Sequence, residues 1–130
     1  DMIAMAHELD LLTTPYVFNT GEAERMAGVG ADIIVAHMGV TTGGTIGAKT
    51  AKTLDDCVTR IQDIADAARG VSPEVLVICH GGPIAEPPDA EYIIAHCRGV
   101  DGFYGASSVE RLPAERAIAE QIRIFKGIRR

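Results

Sequence analysis

Short, almost unbroken apolar runs alternate with longer stretches of helical periodicity along the whole chain, and that alternation leaves few folds open. Runs of this kind joined by helices make βα units, which assemble around a parallel sheet. Four units are legible. A helical tail near Met2 to Leu9 precedes a first strand at Pro15 to Phe18, and a short helix around Glu22 to Ala27 ends at Gly28 or Gly30. The second strand, Asp32 to Met38, reads DIIVAHM, as expected of a strand covered on both faces. A glycine- and threonine-rich stretch then leads to a helix from Leu54 to Arg69 with Leu54, Val58, Ile61 and Ile64 or Ala65 on one face. Thr53 and Asp56 resemble a capping box at its start, and Gly70 supplies a stop. The third strand is Val75 to Cys79, followed by a helix over Asp89 to His96 entered through Pro87 and Pro88. The fourth strand lies in Val100 to Gly105. A last helix from Pro113 to about Lys126 carries Ile118, Ile122 and Phe125 along one face.

A closed parallel (β/α)8 barrel takes about 250 residues and eight such units. With 130 residues and four units, the chain reads as the second half of such a barrel, a single α/β domain over residues 1–130. A small open doubly wound sheet is the competing architecture. Four parallel strands alone leave two long edges and a poorly covered face. The expected partner is therefore the missing N-terminal half-barrel or another copy of the chain.

No apolar run approaches the roughly eighteen residues of a membrane helix, and no charged and apolar leader opens the chain, so no membrane association and a cytoplasmic location are expected. A net charge of -6 without a basic run speaks against nucleic acid. Any anionic ligand must then be held locally. Cys57, Cys79 and Cys97 form neither a CxxC pair nor an even set, which indicates no disulfide framework or zinc knuckle. Two of them read as core residues on helix faces. Cys79, beside His80, is a candidate nucleophile but reads better as a buried thiol.

Functional loops in parallel α/β folds follow the C-terminal ends of strands. Here those loops begin HMGVTTGGTIGAKT, CHGGP and GASSVER. His37 and His80 end strands that are neighbours if sheet order follows the chain, so their imidazoles can converge on one ligand, to move a proton or bind a metal. Each alone is equally well explained as a loop-ordering hydrogen bonder; His7 and His96, on helices, are better explained that way. The HGGP and GASS turns predict a phosphate or carboxylate clamp at Gly81, Gly82, Ala106, Ser107 and Ser108, with Arg111 supplying charge or else sitting in a surface ion pair. Ser107 to Glu110 also fits a capping box, a purely structural role. GGTIGAKT nearly matches a phosphate-binding loop, with Ala48 in place of its second glycine. Its helix begins at Thr53 rather than Lys49, and no later strand ends in a magnesium-holding aspartate, so a nucleotide triphosphatase is a minor reading. Gly43, Gly44 and Lys49 remain anion-holding candidates, and Thr41, Thr42 and Thr45 are loop hydrogen bonders. Neither a GxSxG elbow nor a carboxylate cluster appears at the strand ends.

Taken together, ADIIVAHMGVTTGGTIGAKTA, VICHGGPIAEPPDAEY and GFYGASSVERLPAERAI resemble the phosphoenolpyruvate hydrolase-like TIM-barrel family, in order and over essentially the whole chain. That family looks like a branch of the phosphoenolpyruvate/pyruvate-binding barrels, and related domains form the C-terminal part of plant tobamovirus-resistance proteins. The resemblance implies the last four βα units of an eight-unit barrel. It further implies a phosphorylated or enolisable carboxylate as ligand, with Mg2+ as a cofactor whose carboxylate ligands sit on earlier strands outside this segment. The expected function is an enzyme acting on a small anionic, phosphoenolpyruvate-like metabolite, with His37 or His80 moving a proton or stabilising an enolate. The alternative is a binding or regulatory domain that keeps the pocket without catalysis or engages another protein through its surface.

Overall fold

The computed structural model describes residues 2–42, 44, 47 and 52–129. Helix α1 (Met2–Glu8) precedes β1 (Tyr16–Val17), α2 (Thr20–Gly28), β2 (Ile33–His37), α3 (Leu54–Val71), β3 (Leu76–His80), α4 (Pro87–His96), β4 (Gly102–Phe103) and α5 (Arg111–Lys126). The strands form one parallel sheet in the order β1-β2-β3-β4.

Local chemistry sets most helix starts. The Asn19 side chain accepts the Glu22 N–H at 2.9 Å, and the Glu22 carboxylate returns to the Phe18 N–H at 2.7 Å. Thr53 and Asp56 close a reciprocal box, with Thr53 Oγ1 accepting the Asp56 N–H at 3.1 Å and Asp56 Oδ2 accepting the Thr53 N–H at 2.8 Å. Pro87 and Pro88 occupy the first turn of α4, where a missing N–H costs nothing, and Asp89 accepts the Glu86 N–H at 2.8 Å.

Two expected boundary signals are not used. Gly70 lies inside α3, which runs on to Val71; Gly70 does not take the left-handed conformation of a glycine stop, and the Ser72 N–H closes the helix on Ala68 O at 2.9 Å. Ser107 and Glu110 form no capping box. The Val109 and Glu110 amides instead both reach Ala106 O, at 2.8 and 3.1 Å, in a tight turn that runs into α5.

Along each strand alternate side chains face opposite sides. Val17, Ile34, Ala36, Met38, Val77 and Cys79 point to the side carrying α2, α3 and α4 and are fully or almost fully buried there. They pack against Ala23 and Ala27 of α2, Cys57, Ile61, Ile64 and Ala68 of α3, and Ile93 of α4. The other side carries none of these three helices. Tyr16 and Leu76 stand 44% and 47% exposed on it, with Phe18 just beyond β1 at 48%. The unbroken apolar run of β2 thus reflects one face under α2, α3 and α4 and a second on which Val35 is itself fully buried. Helix α5 leaves Ile118 and Phe125 61% and 64% exposed and buries Leu112. Its apolar stripe finds no cover among the described residues.

The feet of the strands are tied by carboxylates. Asp32, just before β2, accepts the Thr13 N–H at 2.8 Å and the Thr13 hydroxyl at 2.6 Å, with His7 Nε2 at 3.0 Å. Asp101, just before β4, accepts the Val77 N–H at 2.7 Å and pairs with Arg69 at 2.8 Å.

Candidate functional site

The C-terminal ends of the strands gather a compact aromatic group on the face opposite these three helices. His37 and His80 are direct register partners of β2 and β3, and their ring centroids lie 4.8 Å apart at an interplanar angle of 74°. Tyr16 packs against both, edge-on to His37 at 4.9 Å and stacked on His80 at 5.1 Å. Phe18 flanks His37 at 4.8 Å, and Tyr104 flanks His80 at 5.7 Å. All four strands therefore contribute to one wall. Period-two placement explains this: Tyr16 and Phe18 share a face, His37 and His80 close β2 and β3 on that face, and Tyr104 follows β4 by one residue. The imidazoles were evident from sequence. The tyrosines and Phe18 were not singled out, although their spacing from the strand ends carried the signal.

Main-chain contacts give the histidines opposite hydrogen-bonding roles. The Gly39 N–H donates to His37 Nδ1 at 3.0 Å. An amide can only donate, so His37 Nδ1 is the bare nitrogen and the proton of the neutral ring sits on Nε2. His80 Nδ1 lies 2.6 Å from Tyr104 O. A carbonyl can only accept, so there Nδ1 carries the proton and Nε2 of the neutral ring holds a lone pair. Burial first, then the neighbouring His80 and last the Lys52 ammonium, push the pKa of His37 below the ordinary imidazole value, against a hydrogen bond with its own main chain that raises it. The neutral form of His37 is thereby favoured near pH 7.

Lys52 brings positive charge to the site. Its Nζ donates to Met38 O at 3.0 Å, one residue beyond His37. The phosphate-loop resemblance of GGTIGAKT points to Lys49 instead, and nothing in that pattern marks Lys52. Lys49 and Gly43 lie outside the described residues.

The HGGP turn is locked to the loop after β2. Gly81 and Gly82 both take left-handed backbone, with φ of 74° and 61°. A Cβ on Gly81 would collide with Gly39 O, and one on Gly82 would lie 2.7 Å from Met38 O. The Gly82 N–H donates to Gly39 O at 2.7 Å, the Thr42 N–H to Gly82 O at 2.9 Å, and the Met38 N–H to His80 O at 2.8 Å. The Gly82 amide, expected to hold an anion, is committed to another loop; the glycines are needed because two backbones approach closely.

The remaining candidates sit elsewhere. Arg111 is ion-paired with Glu115 at 2.8 Å, and both crowd against Gly44. The Ala106 carbonyl closes the turn into α5, and Ser107 O accepts the Leu112 N–H at 2.9 Å. Ser108 lines an apolar cavity of about 600 Å³ with Ala90, Ile94, Phe103 and Val109. Phe103 packs on the helix-covered core, so this cavity opens on the side away from the histidines. Its acidic lining residues are Glu86, which pairs with Arg116, and Glu91, and no basic side chain that could hold an anion lines it. Cys79 faces the core, fully buried, and burial pushes its thiol up to about 12, which suits a packing role rather than a nucleophile. His7 and His96 hydrogen-bond to Asp32 and to Tyr92 O respectively.

Magnesium prefers an octahedron of oxygens. Among the described residues no group of three His, Cys, Asp or Glu side chains could hold a metal ion, and the facing groups of the pair are ring nitrogens. The residues present do not fit that ion. No helix among them is long and apolar enough to cross a membrane.

The sequence profile of the family described as phosphoenolpyruvate hydrolase-like matches residues 1–128. Two tomato (Solanum lycopersicum) proteins, ToMV susceptible protein tm-1(GCR26) and ToMV resistance protein Tm-1(GCR237), are each 56% identical over 128 residues, covering 98% of this chain. The chain spans only 17% of the length of either. Among solved structures, the FabK (M276A) mutant from Thermotoga maritima, a TIM-barrel enzyme, superposes with a TM-score of 0.53 at 23% identity, over 78% of this chain and 29% of that one. The chain shares that fold.

Proposed function

The chain belongs to the phosphoenolpyruvate hydrolase-like family, and from that premise we propose that it forms the catalytic wall of a barrel enzyme acting on a small phosphorylated or enolisable carboxylate. The observation that carries this reading is the His37–His80 pair, adjacent in register at the strand ends, walled by aromatic rings and neighboured by the Lys52 ammonium. Two imidazoles of unlike hydrogen-bonding role next to a cation suit an anion that gains or loses a proton. The acidic surface as a whole would repel such a ligand, so local charge has to hold it.

The sheet face opposite α2, α3 and α4 and the uncovered stripe of α5 support a second part to the proposal. We take these four units to be the second half of the barrel, with the other half supplied by the rest of a longer chain or by another copy. The far greater length of the tomato relatives favours the first source. A cytoplasmic setting is consistent with cysteines that pack singly as buried apolar side chains.

The test is a titration of the full-length protein with pyruvate, phosphoenolpyruvate and inorganic phosphate, following the His37 and His80 ring resonances, with turnover of phosphoenolpyruvate assayed in the presence of magnesium. Displaced ring signals with turnover are expected. Ring signals unmoved by all three overturn the reading, and displacement without turnover assigns the chain to a non-catalytic binding domain.

A further inference from the structure

The two histidines are partners in register but not in chemistry. His80 gives its Nδ1 proton to Tyr104 O, which leaves the lone pair on Nε2. His37 spends its Nδ1 lone pair on the Gly39 N–H, which leaves a proton on Nε2. In each ring Nε2 is the nitrogen that these hydrogen bonds leave over, and the rings touch edge to face with centroids 4.8 Å apart, so one small molecule resting on the pair can meet both. The partners of each Nδ1 are backbone groups held by the locked loops, so neither ring can exchange its role without breaking a main-chain contact.

We infer that His80 Nε2 takes the proton from the ligand, while His37 Nε2–H and the Lys52 ammonium hold the oxygen on which the negative charge settles. This rests on the reading of the site as one for enolisable carboxylates. In the step, the C–H bond next to the carbonyl breaks and its electron pair forms a carbon–carbon double bond. The carbonyl π pair moves to oxygen, and the proton resides on His80 Nε2. The resulting imidazolium keeps its Nδ1–H on Tyr104 O, so no neighbour has to move as charge develops. A neutral donor at His37 suits an oxygen acquiring charge: it strengthens its hydrogen bond as the oxygen becomes negative without giving up its proton. Lys52 donates to Met38 O, one residue beyond His37, and its charge is felt at that imidazole. The reverse assignment would require His37 to present a bare Nε2, and then its Nδ1–H would face the Gly39 N–H.

Two measurements on the full-length protein decide this. Long-range proton–nitrogen correlation spectra of 15N-histidine protein read the tautomers directly. His37 protonated on Nε2 and His80 on Nδ1 are expected; the same tautomer on both rings, or the reverse pair, overturns the inference whatever the ligand does. Exchange of the pyruvate methyl protons in D2O reads the step itself. His80→Gln should slow exchange by about 100-fold or more while pyruvate affinity stays within about threefold, because only the base is lost. Lys52→Met should weaken pyruvate binding by about tenfold or more and leave both tautomers unchanged. Exchange undiminished in His80→Gln, or absent when pyruvate is bound to the unaltered protein, overturns the inference. Failure of pyruvate, phosphoenolpyruvate and phosphate to bind at all instead removes the proposed function, and the tautomers still judge the assignment of roles.

Discussion

Asp32 and Asp101 hold equivalent posts two βα units apart: each stands at the foot of a strand and accepts a main-chain N–H from the segment alongside, Thr13 in one case and Val77 in the other. Each is also met by a basic side chain from the last turn of the helix before that segment, His7 of α1 or Arg69 of α3. The sheet is thus pinned at its lower end by two copies of one device, which frees its upper end for loops chosen by chemistry.

Removing Asp101 should therefore cost more than a surface ion pair. Asp101→Ala strands the Val77 amide in the middle of the sheet, and a lower denaturant midpoint worth about 1–3 kcal/mol is expected. Asp32 adds a pH signature. Hydrogen bonds from Thr13 first, and from His7 after them, hold its carboxyl well below the ordinary 3.8. A depressed carboxyl contributes stability above its unfolded value and loses it as pH falls, so the acid limb should steepen below about pH 4. Asp32→Asn should flatten that limb; an unchanged acid limb would count against the clamp.

Tyr16 touches both imidazoles through its ring, not its hydroxyl. Tyr16→Phe should leave the histidine ring resonances sharp and ligand affinity within about twofold, whereas Tyr16→Ala should weaken binding by about 0.5–1.5 kcal/mol per lost ring contact. Equal effects of the two variants would place the hydroxyl, not the ring, in the site.

At Gly82, alanine has to adopt a φ of 61° with its Cβ 2.7 Å from Met38 O. A loss of about 1–3 kcal/mol is expected from the backbone strain alone. Because Gly82 is bonded to Gly39, the His37 resonances should shift as well. A variant as stable as the parent would show that the loops are not locked.

Cys57, Cys79 and Cys97 are all raised by burial, Cys79 to about 12. The folded protein then binds more protons than the unfolded chain above the ordinary thiol value of 9.0, so stability should fall as pH rises from about 9 toward 12. Cys79→Ser is not a clean control in a packed core; Cys79→Ala, with its smaller volume, should start less stable but lose less on going from pH 8 to pH 10. Thiol reagents at pH 8 should label Cys79 only on unfolding, and rapid labelling of the native protein would contradict its burial.

Element types were legible because β2 and β3 carry dense apolar runs and α3 opens with an unambiguous Thr53–Asp56 box. Edge strands were harder. β1 and β4 shrink to two paired residues each because each has a neighbour on one side alone. The convergence of His37 and His80 was legible because each stands at the end of an apolar run and the two runs are neighbours when sheet order follows the chain. Their opposite roles did not, since the partner atoms are the Gly39 amide and the Tyr104 carbonyl, and main-chain groups leave no mark in sequence. For the same reason Gly82 read as an open amide when a carbonyl from another loop already occupied it. Gly70 misled because glycine ends a helix only where the backbone turns left-handed, and α3 ends at Ser72 without that turn.

The alternation along β2 has a consequence for how such chains diverge. Ile34, Ala36 and Met38 answer to helices, while Val35 and His37, one step away, answer to whatever meets the opposite face of the sheet. Neighbouring codons are thereby under unlike selection. Relatives that switch ligand should vary at every second position of a strand and hold the others to conservative exchanges of size.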